Sequence, residues 1–183
     1  MKIRFIINPI SGTGKQKGID KLISRYFDEY DIVFTAKQGD AKKYSIESIN
    51  KYDLVVSVGG DGTLNECASG LVNSNTVLGV IPCGSGNGFA YHLGMSKNIL
   101  SALKQLKNGH IQNVDVCSVN RHNFINVSGV GFDSHIAYLF SKLKSRGFIN
   151  YIKLIIKELS YVAKKFDIEY DSNKKSVYAY ICL

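Results

Sequence analysis

Three short segments combine glycine with small polar side chains, and each directly follows an apolar run. They are Asn8-Pro9-Ile10-Ser11-Gly12-Thr13-Gly14-Lys15, Gly59-Gly60-Asp61-Gly62-Thr63-Leu64-Asn65-Glu66 and Pro82-Cys83-Gly84-Ser85-Gly86-Asn87-Gly88. Glycine lets a backbone adopt positive φ and come close to a phosphate. Free N–H groups at the start of a following helix favour an anion. Phosphate binding is the chemistry such loops support. Asp61 lies between glycines at a strand end, where a carboxylate can hold a magnesium ion against phosphate oxygens. Thr63 and Asn65 offer polar side chains at the start of the next helix, and Glu66 reads as a first-turn acid favoured by the helix dipole.

Two familiar phosphate motifs are excluded. A Walker loop needs Ser or Thr after Gly14-Lys15, where Gln16 stands, and a glycine where Pro9 stands. A dinucleotide fingerprint needs glycine at Lys17 for the first loop or at Phe89 for the third. Any one of these loops reads equally well as a tight turn; three at one sheet edge read as a site.

The elements that must position them follow from apolar period and breakers. Strands are expected at 2–8, 31–35, 53–58 and 76–81, and helices at 16–28, 40–50, 64–72 and 87–107. The strands are apolar on both faces, which implies a parallel sheet covered by helices. All three loops then fall at the carboxyl edge, where open α/β sheets bind ligands. Beyond residue 110 the pattern changes. Strands at 113–119 and 123–129 suggest an antiparallel hairpin, helices follow at 134–144 and 147–165, and 175–183 alternates like a strand. The expected organisation is an α/β domain over 1–110 and the start of a mainly antiparallel β domain with helices over 111–183. An apolar strand ending the sequence needs partners. It either pairs with 113–129 or belongs to a sheet that continues past Leu183, and a chain cut short is the favoured reading.

Composition narrows the function classes. The 183 residues are 45% hydrophobic and 21% charged, which suits a folded core and excludes wholesale disorder. No apolar run is long enough for a membrane-spanning helix. Cys67, Cys83, Cys117 and Cys182 form no CxxC pair, and His92, His110, His122 and His135 form no i, i+4 pair, so neither a disulfide framework nor a zinc site is expected. A reducing cytoplasm is the default location. The net charge of +8 suggests an anionic partner. Nucleic acid is not expected, because the basic residues alternate with aliphatics and no nucleic-acid module is present. Phe148, Ile152, Ile155, Leu159 and Val162 step by four and three, with Lys153, Lys157 and Lys164 on another face. Such a helix can lie on an anionic membrane. Packing of the stripe on the core is the favoured reading.

Gly59-Gly60-Asp61-Gly62-Thr63, continuing to Asn65-Glu66, resembles the signature of the diacylglycerol kinase catalytic domain family, which includes bacterial lipid kinases and sphingosine kinases and is related to NAD kinases and phosphofructokinases. Four further stretches resemble the family in order: Asn8-Pro9 through Gly12, Thr35 with Gly39-Asp40-Ala41, Gly84-Ser85-Gly86-Asn87 with Phe89-Ala90, and Asn126-Val127-Ser128-Gly129-Val130-Gly131-Phe132-Asp133. The resemblance implies an ATP- and Mg2+-dependent kinase of lipid metabolism that phosphorylates a lipid hydroxyl, built from an α/β nucleotide domain and a β-sandwich domain. It implies that ATP is contacted by Asn8, Pro9, Ile10, Ser11, Gly12, Thr35, Gly59, Gly60, Asp61, Gly62, Thr63, Leu64, Asn65, Gly84 and Ser85. Asp61 would lie at the phosphates and their magnesium. Asp133 would lie by magnesium-linked waters or the acceptor head group. The general base, in a later acidic segment, is expected beyond Leu183.

Ser85 and Gly88 depart from the threonine and aspartate usual in bacterial relatives, and Ser85-Gly86-Asn87 is similar to sphingosine kinases. The acceptor is therefore open between diacylglycerol and a sphingoid base. The expected partners are a lipid alcohol, a peripheral contact at the inner membrane face and a second copy of the chain. A nucleotide-binding fragment without turnover and an NAD kinase-like enzyme are the alternatives.

Overall fold

In the computed structural model, Ile3–Ile7 (β1) and Leu54–Gly59 (β3) are the two central strands of a four-stranded parallel sheet. Residues 1–12, 16, 18–143 and 148–182 are described, without the side chains of Ser141 and Phe148. All six residues of β3 are buried, as a strand covered on both faces requires. Tyr30–Phe34 (β2) and Val77–Pro82 (β4) complete the order β2-β1-β3-β4.

Side-chain alternation assigns the two faces. On one, Ile3, Phe5, Ile7, Leu54, Val56 and Val58 pack with Ile19–Ile23 (α1) and Ile99–Lys107 (α5). Phe5 meets Phe27 edge to face, with ring centres 5.6 Å apart. On the other, Ile6 and Val55 pack with Ala41 of Asp40–Ser48 (α2) and with Cys67 and Leu71 of Asp61–Leu71 (α3). α2 and α3 approach closely at Gly70, where a Cβ would stand 2.7 Å from the Lys42 carbonyl oxygen.

The chain divides into two compact units, Met1–Asn126 and Val127–Leu183. The first also contains Gly88–His92 (α4) and a short antiparallel hairpin of Cys117–Val119 (β5) and His122–Phe124 (β6). The hairpin, expected in the second domain, thus lies in the first unit. The helices expected over 87–107 are α4 and α5, separated at Gly94, which has φ +75.

In the second unit, Val130–Gly131 (β7) leads into Phe132–Ser141 (α6), and Phe148–Lys157 (α7) follows. Lys164–Tyr170 (β8) and Asn173–Ala179 (β9) form an antiparallel hairpin, and Ile181–Cys182 (β10) pairs with β7. Two expectations are corrected. The helix expected over 147–165 ends at Lys157, and Lys164 lies in a strand. The apolar spacing of Leu159 and Val162 runs on past the helix, while Asp171 and Ser172, both at positive φ, supply the two-residue turn that favours a hairpin. Of the two readings of the terminal alternating segment, pairing with 113–129 is excluded, because it pairs with β8 and β7. Leu159 and Val162 are 64% and 74% exposed, so this end of the expected stripe does not pack on the core.

No helix among the described residues is long and apolar enough to cross a membrane. Burial pushes the Cys67 thiol up to about 11, against smaller opposite effects of the Ser45 and Ser57 hydroxyls. At pH 8 about one thiol in a thousand is then thiolate. Native protein treated with a thiol-specific chromophore at that pH is expected to label exposed Cys117 and leave Cys67 unmodified until denaturant is added. Equal rates at the two would contradict the packing of α3.

Candidate functional site

In the order β2-β1-β3-β4 the direction of winding reverses between β1 and β3. That is the switch point at which open α/β sheets leave a crevice beyond the carboxyl ends of their strands. Asn8 stands there, directly after β1. Its backbone N–H donates to the Val58 carbonyl at 2.9 Å, and its side-chain amide donates to Thr63 Oγ1 at 3.1 Å. Its Oδ1 accepts the Ile10 N–H at 3.1 Å, closing the turn through Pro9. One side chain thus ties the first loop to the first turn of α3, across the switch.

The three glycine loops meet backbone to backbone. Gly12 has φ +59, and a Cβ there would stand 2.2 Å from the Cys83 carbonyl oxygen. A Cβ on Gly84 would stand 2.4 Å from Gly60 Cα, and one on Gly60 3.5 Å from Ser11 Oγ. The loops therefore interlock without room for side chains. Gln16, buried beneath the first loop, gives its amide to the carbonyls of Asn8 and Ser11 at 2.8 and 3.1 Å. Thr13, Gly14, Lys15 and Lys17 lie outside the described residues.

At the centre, α3 starts at Asp61 with no side-chain cap. Its first turn is thus free to direct N–H groups at an anion. Gly62 is exposed, with nothing within 4 Å of where its Cβ would be. Asp61 is also exposed, and its Oδ2 accepts the Asn87 N–H at 2.7 Å.

The expected site residues divide accordingly. Asn8, Ser11, Gly12, Gly59, Gly60, Asp61, Gly62, Thr63, Gly84 and Ser85 share this edge, and Thr35 joins them through its N–H to the Ile7 carbonyl at 2.9 Å. Pro9 and Ile10 are exposed at the loop tip, Ile10 at 81%. Leu64 points the other way, into the core with Val80 and Ala90. Asn65 gives its side-chain amide to the Asn123 carbonyl of β6 at 3.0 Å. Asp133 belongs to the second unit, on α6, where the Tyr151 hydroxyl lies 3.5 Å from its Oδ1. Burial first, and then the Asp133 charge, raises the Tyr151 phenol above its ordinary value.

Three residues outside the expected set also build the edge. Asp40 Oδ2 accepts the N–H groups of Ala36 and Lys37 at 2.8 and 2.9 Å, which hold its carboxyl below the ordinary 3.8. Glu66 accepts the Gly39 N–H at 3.0 Å, so it anchors the turn after β2 rather than serving the dipole alone. Asn87 folds the third loop. An acid six residues after the end of β2 was the available signal for Asp40; the partner of Glu66 is 27 residues away, with no local signal.

Among the described residues, no group of three His, Cys, Asp or Glu side chains could hold a metal by itself. Asp61 is the carboxylate at the junction of the loops. The site therefore fits a divalent ion that arrives bound to phosphate oxygens and takes one protein ligand, and it does not fit a stand-alone metal centre.

The model of the diacylglycerol kinase catalytic domain family matches residues 2–119. A diacylglycerol kinase of Staphylococcus epidermidis is 35% identical over 182 residues, covering 94% of this chain and 58% of that protein. One of Staphylococcus aureus matches to the same extent. A crystal structure of a diacylglycerol kinase from Bacillus anthracis superposes with TM-score 0.73 at 33% identity, covering 98% of this chain and 62% of that one. The chain thus spans about three fifths of the length of these relatives.

Two outcomes follow from the loop geometry. Gly84→Ala is expected to lower stability by about 1–3 kcal/mol, because the new methyl meets backbone. Gly62→Ala, in open space within a helix, is expected to be neutral or to stabilise by roughly 0.5–1 kcal/mol. Urea unfolding measures both, and equal effects would contradict the interlock. Asp40 supplies a pH dependence. Its folded pKa is depressed, so its stabilisation is full above the ordinary value and is lost as pH falls through the folded one. Protection of the Ala36 and Lys37 amides against hydrogen exchange is expected to fall on acidification below about pH 4, and Asp40→Ala to remove that protection at neutral pH. Amides equally protected in the variant would refute the clamp.

Proposed function

The chain belongs to the diacylglycerol kinase catalytic domain family, and from that premise we propose that it serves ATP-dependent phosphoryl transfer to the hydroxyl of diacylglycerol. The observation that carries this reading is the meeting of three glycine loops around Asp61 and the uncapped start of α3, at the switch point of the sheet.

In this reading the loop amides and the first turn of α3 receive the phosphates, and Thr35 at the end of β2 lines the same edge. Phosphoryl transfer needs alignment and charge neutralisation more than covalent help from the protein. Asp61 would hold a magnesium ion arriving on the phosphates, and that ion would supply neutralisation of the charge on the transferred group. Asn8 and Thr63 hold the first loop and α3 in register, so that the amides face one point without rearrangement. Asp133 serves the acceptor head group, on the family resemblance alone.

A lipid acceptor requires contact with a bilayer. Ile149, Ile152 and Ile156 form an exposed apolar face of α7, with Lys153 and Lys157 exposed beside it. An apolar strip flanked by lysines suits the surface of an anionic membrane.

Calorimetry of the chain with ATP and Mg2+ is expected to give one binding site, weakened at least about tenfold by Asp61→Ala with the circular dichroism unchanged. In mixed micelles, with the chain extended to the length of its relatives, radiolabelled phosphate is expected to pass from ATP to dioleoylglycerol in preference to sphingosine, and Lys153/Lys157→Glu to reduce sedimentation of the chain with phosphatidylglycerol vesicles. Binding indifferent to Asp61, or phosphorylation of NAD in place of lipid, would overturn the reading; vesicle binding indifferent to the lysines would remove the membrane part alone.

A further inference from the structure

Asn87 adopts the left-handed conformation, with φ 58 and ψ 39, although it carries a side chain. Asparagine tolerates this region better than most residues, and here its side chain is fully used. It is 3% exposed. Its Oδ1 accepts the Gly84 N–H at 2.8 Å, and its Nδ2 donates to the Gly84 carbonyl at 2.7 Å and to the Tyr91 hydroxyl at 3.1 Å. The residue thus clamps both polar groups of Gly84 and folds the third loop back on itself.

That clamp reaches the second loop by two routes. Gly84 lies against Gly60, where a Cβ would stand 2.4 Å from Gly60 Cα. The Asn87 N–H itself donates to Asp61 Oδ2 at 2.7 Å. Gly86 leaves the path clear, since a Cβ there would come within 3.0 Å of the same oxygen. Asn87 therefore bears on both residues 60 and 61, and it occupies Oδ2 of the Asp61 carboxylate, while no hydrogen bond to Oδ1 is found among the described residues. A carboxylate held at one oxygen loses rotational freedom before any ligand arrives.

We propose that Asn87 is a positioning residue: by folding the third loop it fixes the Asp61 carboxylate with Oδ2 tied and Oδ1 free to ligate a phosphate-bound divalent cation. This rests on the phosphoryl-transfer reading of the same site. It predicts that Asn87 matters for the metal-dependent part of nucleotide affinity, and only through Asp61.

The test is a double-mutant cycle on nucleotide affinity, measured by calorimetry with Mg2+ and with a chelator. Asn87→Gly keeps the left-handed backbone and the N–H donor but loses all three side-chain bonds. It is expected to reduce the Mg2+-dependent gain in ATP affinity about tenfold in the wild-type background, and by less than about twofold in an Asp61→Ala background. An unchanged gain, or an equal loss in both backgrounds, overturns the proposal. Failure of the wild-type chain to bind ATP in either condition overturns the functional reading and this inference together. Should Asn87→Gly not fold, hydrogen exchange of Asp61→Ala decides independently of nucleotide. The Asn87 amide is then expected to exchange at least about tenfold faster while the Gly84 amide, held by the Asn87 side chain, keeps its protection. An Asn87 amide equally protected without Asp61 refutes the link.

Discussion

The contact on which the site depends is between backbones. Gly12 lies on the Cys83 backbone and Gly60 on that of Gly84, so the first and third loops and the second and third loops meet without an intervening side chain. Close backbone contact of this kind brings amide groups to the surface beside the Asp61 carboxylate. It also makes the loops mutually dependent. Asn8 reaches Thr63 across the first and second loops, and the Asn87 N–H reaches Asp61 across the third and second. A pre-formed arrangement of dipoles needs little reorganisation on binding, which is how such sites gain strength.

Carboxylates partition the rest of the edge. In the turn after β2, Asp40 takes the N–H groups of Ala36 and Lys37, and Glu66 takes that of Gly39. Those donors are therefore not offered to a ligand. At the start of α3 the reverse holds: no side chain caps the helix, and Asp61 faces Asn87 from outside. Donors are consumed at one end of the crevice and left open at the other. The same sheet thus distinguishes where an anion is welcome from where it is not.

Much of this edge is legible in the residues themselves. Apolar runs ending in glycine mark where buried strands stop, and the runs at 2–8, 53–58 and 76–81 lie within about a residue of β1, β3 and β4 at most ends. The loops converge because a parallel sheet sends all strand ends one way. What escaped was non-local. Asn87 looks like any polar loop residue until Gly84 and Asp61 come beside it, and Glu66 acquires its role from a glycine far away in sequence. The helix expected over 147–165 failed for a different reason. An apolar step of three and four does not end where hydrogen bonding ends, and the strand Lys164–Tyr170 is specified by its turn and partner rather than by its own period.

The order of strands in the sheet sets a schedule for synthesis. β1 emerges first but sits between β2 and β3, so its second partner arrives only when residue 59 has been made. β4 and the third loop come later still. Until then Gly12 has no Cys83 to lie against and the edge of β3 is open. A nascent chain therefore carries an unfinished parallel sheet until β4 has been made, a topology that closes slowly and exposes apolar strand edges meanwhile. The loop edge is the last part of the sheet to exist, and it is incomplete until β4 and the third loop have been made.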